Sequence, residues 1–319
     1  IMATYKEIRG TNIEVLASDP SNPVIGQVWY NSTDNVVKGF YVNPGAWATG
    51  GNLNAANYGS AAAGIQTAAL DFGGLDTPAD TESYNGTNWT ELNNLNTGRN
   101  FLAGAGASNT AALAFGGGPA GKEETENWNG SNWTEVNNLN VGRRNLAGTG
   151  INTAALAFGG EDPGTAKIAN TETWNGTNWT EVNDLNTAAE KLAGAGTNTA
   201  ALAFGGSIPT GTTGGTELWN GTNWTEVNDM GNARYFLGGA GTSTSALGFG
   251  GYIPSKAFTE SWNGTNWTEV ADLSNARAYL GGCGASNTSA LAIGGYTNTA
   301  VALTEEWDAG PATLTFTDS

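Results

Sequence analysis

The sequence predicts an all-β fold, a propeller of six four-stranded antiparallel blades, on three observations. Gly-Gly pairs recur six times at spacings of 43 to 46 residues, the period of one small supersecondary unit. Each unit contains short, strand-length segments bounded by turn residues, and no segment shows helical periodicity. Units of this size bury their faces against neighbouring units, and ring closure protects the sheet edges. The pairs occupy 73–74, 116–117, 159–160, 205–206, 250–251 and 294–295.

The outer hairpin of each unit carries the clearest local signal. A Thr-Glu pair follows each Gly-Gly pair, and an aromatic residue stands two positions after the glutamate. Five units then continue with Asn-Gly-Thr/Ser-Asn-Trp. Because Asn-Gly accepts the positive φ angles of a tight turn, we expect a hairpin between two aromatic strands. The tryptophans of this motif are Trp89, Trp133, Trp179, Trp224 and Trp267.

The last unit lacks an outer strand of its own. It ends near Asp308 without the expected tryptophan, whereas Trp47 stands six residues before Leu53, the spacing of Trp267 to Leu273 in unit five. We therefore predict that an N-terminal strand at Trp47 completes the sixth blade and closes the ring. The six Gly-Gly units favour six blades over seven. A rival outer strand is 313–316, where polarity alternates.

Composition argues against several classes of function. The 319 residues include no histidine, one cysteine, 12 basic and 29 acidic residues, for a net charge of −17. Without histidine there is no Ser-His-Asp triad and no histidine-bound zinc. The negative charge argues against nucleic acid as a partner. No apolar run is long enough to cross a membrane, and 1–7 lacks the apolar core of a signal peptide. We expect no cofactor, no metal, no membrane insertion and no enzymatic activity.

Repeated glutamates could suggest the carboxylate pair of a glycoside hydrolase. A residue copied in every blade, however, answers a structural requirement of every blade. We expect the Thr-Glu carboxylates to accept hydrogen bonds from arginines that precede each first strand, except in unit four, which carries Ala189 there. An anion-binding ring of these arginines is the alternative. The predicted structural set is Arg99, Arg143, Arg234, Arg277, Glu82, Glu126, Glu217 and Glu260.

Asp71 is exceptional among the repeats. The matching positions of the other five units hold alanine or glycine. A carboxylate among such residues must be hydrogen-bonded or hydrated. A structural contact of the ring closure and a functional role are both open at this point.

Variation between the copies is concentrated on one predicted face. The segments between Gly-Gly and Thr-Glu differ in length and content, as do the residue pairs before each first strand. A rigid scaffold with one diversified face is typical of a recognition surface, although drift in solvent loops leaves the same pattern. The aromatic rings on this face either contact a ligand or turn inward and cap the core. The candidate recognition residues, all from units five and six, are Tyr235, Phe236, Tyr252, Tyr279 and Tyr296.

The repeat resembles the kelch repeat. Its elements are Gly-Gly, an aromatic residue and a tryptophan five positions later, as at Trp174 and Trp179, over about residues 40–308. The sequence of the unit is similar to that of kelch-like virion proteins of tailed bacteriophages, in particular over the stretch Trp-Asn-Gly-Thr-Asn-Trp-Thr-Glu-Val-Asn-Asp-Leu. Residues 26–47 resemble a short β module of phage tail-fibre chains.

This resemblance implies a non-enzymatic structural protein of the virion on a tail, fibre or capsid position. Its implied partners are other virion proteins and a host-surface glycan or protein, and an oligomeric or multicopy assembly is implied. The segments would be an attachment module at 1–39, a propeller at 40–310 and a tail at 311–319. A purely architectural cement protein and a propeller glycosidase are the alternatives. Copper oxidases of the kelch type are excluded, because their metal ligands include histidine.

Overall fold

The computed structural model describes residues 13–76, 78–252 and 254–316 and divides them into two units. One unit contains 13–45 together with 309–316, and the other contains 46–308. The predicted attachment module and tail therefore contribute to one unit, with boundaries a few residues from the predicted ones. Residues 1–12 of the module and 317–319 of the tail lie outside the described residues.

The smaller unit is a short β-sheet. Its strands are β1 (Glu14–Leu16), β2 (Val28–Asn31), the first part of β3 (Val36–Thr49) and the last part of β28 (Thr304–Phe316), in that order. Trp29 is fully buried and donates its indole N–H to Asp19 at 3.0 Å. Hydrogen bonds from Lys38, Asn31 and Trp29 lower the pKa of Asp19 to about 2. This charged contact fixes the loop that precedes β2.

The larger unit is a propeller of six blades, which confirms the predicted fold class. Blade one contains β4 (Ala61–Ile65), β5 (Ala68–Phe72), β6 (Thr81–Tyr84) and β7 (Trp89–Glu91). Blade two contains β8 (Ala103–Ser108), β9 (Ala111–Phe115), β10 (Thr125–Trp128) and β11 (Trp133–Val136). Blade three contains β12 (Ala147–Ile151), β13 (Ala154–Phe158), β14 (Thr171–Trp174) and β15 (Trp179–Glu181). Each blade is an antiparallel meander.

Blades four to six repeat this plan. Blade four contains β16 (Ala193–Gly196), β17 (Ala201–Phe204), β20 (Thr216–Trp219) and β21 (Trp224–Glu226), with a small hairpin of β18 (Ser207–Ile208) and β19 (Gly211–Thr212). Blade five contains β22 (Gly238–Thr242), β23 (Ser245–Phe249), β24 (Thr259–Trp262) and β25 (Trp267–Glu269). Blade six contains β26 (Gly281–Ser286), β27 (Ser289–Ile293), 304–308 of β28 and 46–49 of β3. The described residues contain no helix.

Small residues allow the first strands to converge around the axis. A Cβ atom at Gly104 would lie 2.7 Å from the Phe72 ring and 3.0 Å from the Ala62 carbonyl oxygen. Gly148 meets Phe115 in the same way in the next blade. Glycine and alanine on these strands therefore have a steric reason, because larger side chains would collide with the neighbouring blade.

Both ends of the propeller meet in blade six. The strand at Trp47 is outermost, next to the first residues of β28, and the Gly50 amide donates to the Thr304 carbonyl at 2.9 Å. Trp47 is buried between the rings of Phe249 and Trp307, with centroids 4.9 Å and 5.5 Å away. The prediction that Trp47 supplies the outer strand of the last blade is confirmed.

Candidate recognition face

Six residues, one ahead of each blade, form a closed ring of backbone hydrogen bonds. Each amide donates to the carbonyl of its counterpart in the preceding blade at 2.7 to 2.9 Å, and the Gly59 amide closes the ring on the Tyr279 carbonyl. All six have φ between 51° and 67°, the left-handed region that side-chain-bearing residues rarely adopt. The hydrogen bonds hold this costly geometry in place. The ring consists of Gly59, Phe101, Asn145, Lys191, Phe236 and Tyr279.

The side chains of this ring surround the mouth of the central channel. They line a cavity of about 80 Å³ together with the residues that follow them in each blade. Beyond it, the channel is lined by the small residues of the first strands and has a volume of about 140 Å³. The left-handed backbone conformation therefore determines which side chains reach the axis.

The five predicted recognition residues come together on this face. Phe236 and Tyr279 stack with ring centroids 3.9 Å apart, and Tyr235 and Tyr252 lie 5.5 Å apart. Tyr279 also contacts Tyr252 and Tyr296, each at 6.2 Å. Blades five and six therefore present one connected aromatic patch, as the repeat comparison predicts.

Two aromatic residues of blades one and two extend this patch. Tyr58 lies 5.1 Å from Tyr296 and 5.9 Å from Tyr279, and Phe101 lies 5.7 Å from Phe236. Tyr58 occupies the repeat position of Tyr235, so aligning the copies was sufficient to find it. We call the seven residues the aromatic sector: Tyr58, Phe101, Tyr235, Phe236, Tyr252, Tyr279 and Tyr296.

The aromatic sector is partly open to solvent. Tyr252 is 37% exposed, and the other six rings are half-buried against one another. Burial raises the pKa of Tyr58, Tyr235 and Tyr279, so these phenols stay neutral at physiological pH. Neutral phenols both donate and accept hydrogen bonds. The rings are thus neither fully buried in the core nor fully exposed. Their burial is intermediate between the two alternatives, rings that cap the core and rings that are open to a ligand.

Blades three and four make the same face polar. Arg144 pairs with Glu161 at 3.1 Å, and Lys191 pairs with Glu190 at 3.0 Å. Asn145 donates to both glutamates at 3.1 Å. The ammonium group of Lys191 also lies 5.1 Å from the Phe236 ring centroid, where a cation–π contact joins the polar side to the aromatic sector.

The variable loops and the variable pairs of the repeat meet on this face. Single antiparallel bridges join Tyr235 to Tyr252, Ala278 to Tyr296 and Glu190 to Ser207. The loop after the second strand of each blade therefore packs beside the segment that enters its first strand. This contact explains why both regions of the repeat vary together.

Four arginines are buried against the glutamates of their own blades. The distances are 2.9 Å for Arg99 to Glu126, 2.8 Å for Arg143 to Glu172 and 2.5 Å for Arg234 to Glu260. Arg277 forms the same pair with Glu305. Burial lowers the pKa of each arginine, an effect that the partner carboxylate opposes. All four guanidinium groups point into the blades.

Glu82 and Glu217 differ from these glutamates, because neither has an ion pair among the described residues. Glu82 accepts hydrogen bonds from the backbone and side chain of Asn54 at 2.9 Å and 2.7 Å. Glu217 accepts the corresponding bonds from Asn186 at 2.8 Å and 2.9 Å. Both carboxylates hold the loop before the first strand, but Asn57 and Ala189 occupy their arginine positions.

Asp71 lies buried in blade one, where Ser60 donates to it at 2.7 Å. The other copies have leucine at the position of Ser60, so the serine and the aspartate form an exceptional pair. Burial raises the pKa of Asp71 to about 7, against the effect of the Ser60 hydrogen bond. The free thiol of Cys283 is also buried, which together with Asp71 raises its pKa to about 12.

The described residues contain no group of three or more Cys, Asp or Glu side chains placed to hold a metal ion. Among those same residues, no helix is long and apolar enough to cross a membrane.

Comparison with known proteins gives a match in structure. No family model matches the chain, and no curated protein matches it. The solved structure of YjhT superimposes with a TM-score of 0.69 at 14% identity, covering 81% of this chain and 96% of that one. At this identity the likeness shows the fold alone. The chain is therefore an all-β, six-bladed propeller with YjhT as a structural neighbour.

Proposed function

We propose that this chain is a non-enzymatic recognition protein of a tailed-phage virion, which binds a host-surface glycan through the aromatic sector. The virion assignment rests on the repeat wording and the module at 26–47, which resemble phage chains. The glycan assignment rests on the geometry of the face. The observation that carries it is the connected set of seven aromatic rings on one side of the channel mouth.

The backbone beneath the aromatic sector is well suited to recognition. Phe236 and Tyr279 belong to the hydrogen-bonded ring, so their positions are fixed before a ligand arrives. A pre-organised site loses little conformational entropy on binding. Tyrosine supplies a large contact area with only two side-chain torsions, which keeps the remaining ordering cost small.

The chemistry of the face matches a saccharide. A sugar ring has an apolar face of C–H groups, which packs on an aromatic ring, and a rim of hydroxyl groups. Tyr252 and Tyr296 present rings with phenol groups. Lys191, which pairs with Glu190, lies 5.6 Å from the ring centroid of the neighbouring Tyr235. Binding sites of this kind combine aromatic walls with a few polar groups that fix orientation.

The repeated carboxylates support a non-enzymatic role. Glu126 and Glu260 are used in buried ion pairs, and Glu82 and Glu217 in holding loops. Each of them recurs because each blade needs the same contact. A glycoside hydrolase needs one pair of carboxylates across a cleft.

The virion assignment is tested on purified particles. Particles from a lysate that produces the chain are banded by density and probed with an antibody against the propeller, with labelling viewed by electron microscopy. We expect the chain in the particle band, with label at one defined position. Its absence from washed particles would contradict the assignment. Label at contacts between capsid subunits would favour the architectural role, in which the same face binds neighbouring virion proteins.

A further inference from the structure

Blade four departs from the arginine pattern, and its interior differs accordingly. In blade five, the guanidinium of Arg234 donates to Glu260 at 2.5 Å and to the carbonyl oxygens of Asn232 and Gly248 at 3.0 Å. Blades three and six hold their arginines in the same way, and in blade two Arg99 donates to Glu126 and two carbonyls. One carboxylate and nearby carbonyl groups thus form a recurring guanidinium site.

The acceptors of that site persist in blade four although the arginine does not. Glu217, Thr187 and Ala203 correspond to Glu260, Asn232 and Gly248, and all three line a cavity of about 450 Å³. Ala189, at the arginine position, lines it too. Asn186 and Thr187 orient the Glu217 carboxylate through the contacts that the other blades also use. The surrounding chain has therefore not collapsed into the space that an arginine fills elsewhere.

The cavity is acidic and reaches the surface. Glu217, Glu226 and Asp229 line it, and none of its described lining residues is lysine or arginine. Glu217 is 8% exposed, whereas Glu226 and Asp229 are exposed, so a solute can enter from the side of the outer strand. Burial raises the pKa of Glu217, the effect expected of a carboxylate that lacks a cationic partner.

We propose that this cavity, lined by Glu217, Ala189, Thr187 and Ala203, binds the guanidinium group of an exogenous ligand. The ligand class is a monosubstituted guanidine, either a small molecule or an arginine side chain of a peptide. The bound group takes the position that Arg234 and Arg277 occupy in their own blades. A cavity of this volume lies in the range of about 300 to 1,000 Å³ typical of small-molecule sites.

Acceptor geometry favours guanidinium over other cations. A guanidinium is planar and directs several N–H groups in fixed directions, whereas an ammonium is a compact point charge. The same acceptors hold this planar group in four other blades of the chain. In those blades the arginine Nε has no hydrogen-bond partner, so the site engages the two terminal nitrogens. A substituent on the third nitrogen is therefore compatible with binding.

The test is a calorimetric titration of the full chain with methylguanidinium at low millimolar concentration. We expect one site in the wild type and none in Ala189→Arg, where the added side chain fills the cavity and raises the melting temperature. Glu217→Gln should weaken binding about tenfold or more, because it removes the charged acceptor. Methylammonium, the matched control cation, should neither bind with comparable affinity nor compete.

A gain of function provides an independent check. Arg277→Ala opens the corresponding site in blade six, so this variant should bind two methylguanidinium ions and recover melting temperature as the ion is added. The double variant Ala189→Arg/Arg277→Ala should bind one. If Arg277→Ala does not fold, the comparison of wild type with Ala189→Arg still decides.

Two further titrations distinguish the source of the guanidinium group. N-acetyl-arginine amide and a capped Gly-Arg-Gly peptide are compared with methylguanidinium. Binding of the peptide that is lost in Ala189→Arg assigns the site to an arginine of a partner segment. Binding of methylguanidinium alone assigns it to small molecules. Equal responses of the wild type and Ala189→Arg to methylguanidinium, or a lowered melting temperature of Ala189→Arg, would overturn the proposal.

Discussion

The indole N–H of Trp47 donates a 3.0 Å hydrogen bond to the hydroxyl of Thr259, a residue 212 positions away. The same bond joins each blade to the one before it, as from Trp133 to Thr81 at 2.9 Å and from Trp89 to Thr304 at 2.9 Å. Only Trp47 makes this bond from a strand that is not continuous with the rest of its blade. Closure of the propeller therefore depends on a residue near the N-terminus.

Trp47→Ala should destabilise the propeller by about 3 to 5 kcal/mol, because it removes a buried indole and the hydrogen bond to Thr259. Urea unfolding of the purified variant measures this change. The matched control is Trp133→Ala, at the same position in a blade whose four strands are continuous. We expect Trp47→Ala, but not Trp133→Ala, to aggregate at low denaturant, because loss of the Trp47 strand opens the edges of blade six.

Deleting one end of the chain or the other tests which end supplies the outer strand of blade six. Removal of residues 1–50 should give an aggregating or unfolded chain. Removal of 311–319 should leave the melting temperature of the propeller unchanged, since 46–308 supply all six blades. The reverse result, a stable chain after the first deletion and damage after the second, would show that the rival strand at 313–316 closes the ring.

Arg277→Ala should cost roughly 3 to 5 kcal/mol, because it leaves the carboxylate of Glu305 buried without its cation. Arg144→Ala is the matched control, because Arg144 is about one-third exposed in its pair with Glu161 and Asn145 still donates to that carboxylate, so we expect a smaller cost. Thermal and urea melts of both variants measure the difference. Equal effects would mean that the arginine set serves a ligand rather than the blade. That outcome would revive the alternative of an anion-binding ring.

Asp71 should make stability fall as pH rises. Its pKa in the folded chain is about 7, against 3.8 for an ordinary aspartate, so the folded state binds more protons between these values. Its contribution is therefore fully present below about pH 4 and is lost as pH approaches 7. Asp71→Asn should stabilise the chain by an amount on the order of 2 to 4 kcal/mol above pH 7, and by almost nothing at pH 4. Urea melts across this range measure the difference, and a pH-independent difference would contradict the protonation account.

Cys283 should be inert to thiol reagents in the folded chain. Burial, reinforced by the charge of Asp71, raises its pKa to about 12, and the thiolate is the reactive form. Labelling with a maleimide should occur only in denaturant, with the same dependence on urea as unfolding. Rapid labelling under native conditions would mean that the first strand of blade six opens locally.

The repeat spacing was sufficient to predict the blades, and the missing tryptophan of the last unit was sufficient to predict the closure at Trp47. Both features follow from a local pattern that recurs. Five units carry the outer-strand tryptophan, so the sixth unit, which lacks it, needs an outer strand from another part of the chain. The aromatic residues of blades five and six could be singled out as candidates for the same reason, since positions that vary stand out against constant strands. Their mutual contacts also follow from the repeat, because equivalent positions converge around one axis.

Features that depend on packing between blades could not be predicted from the sequence. The left-handed conformation of Phe236 and Tyr279 results from the closed ring of hydrogen bonds, which no local pattern encodes. Ala189 was visible as an exception, but whether its neighbours collapse or leave a cavity depends on how they pack. The hydrogen bond from Asn54 to Glu82 was not predicted. An arginine was expected as the partner of Glu82, but Asn57 stands at that position in blade one.

The most direct measurement of the proposed recognition role is binding of the purified, fluorescently labelled chain to host cells and to a glycan array. Wild type should bind both, and Tyr252→Ser/Tyr296→Ser should fold with an unchanged melting temperature and lose at least about tenfold in affinity. Tyr41→Ser is the control, because Tyr41 is 38% exposed and lies outside the aromatic sector. We predict that the control binds like the wild type. A folded double variant that binds cells and glycans as tightly as the wild type would contradict the assignment of the aromatic sector as the recognition site.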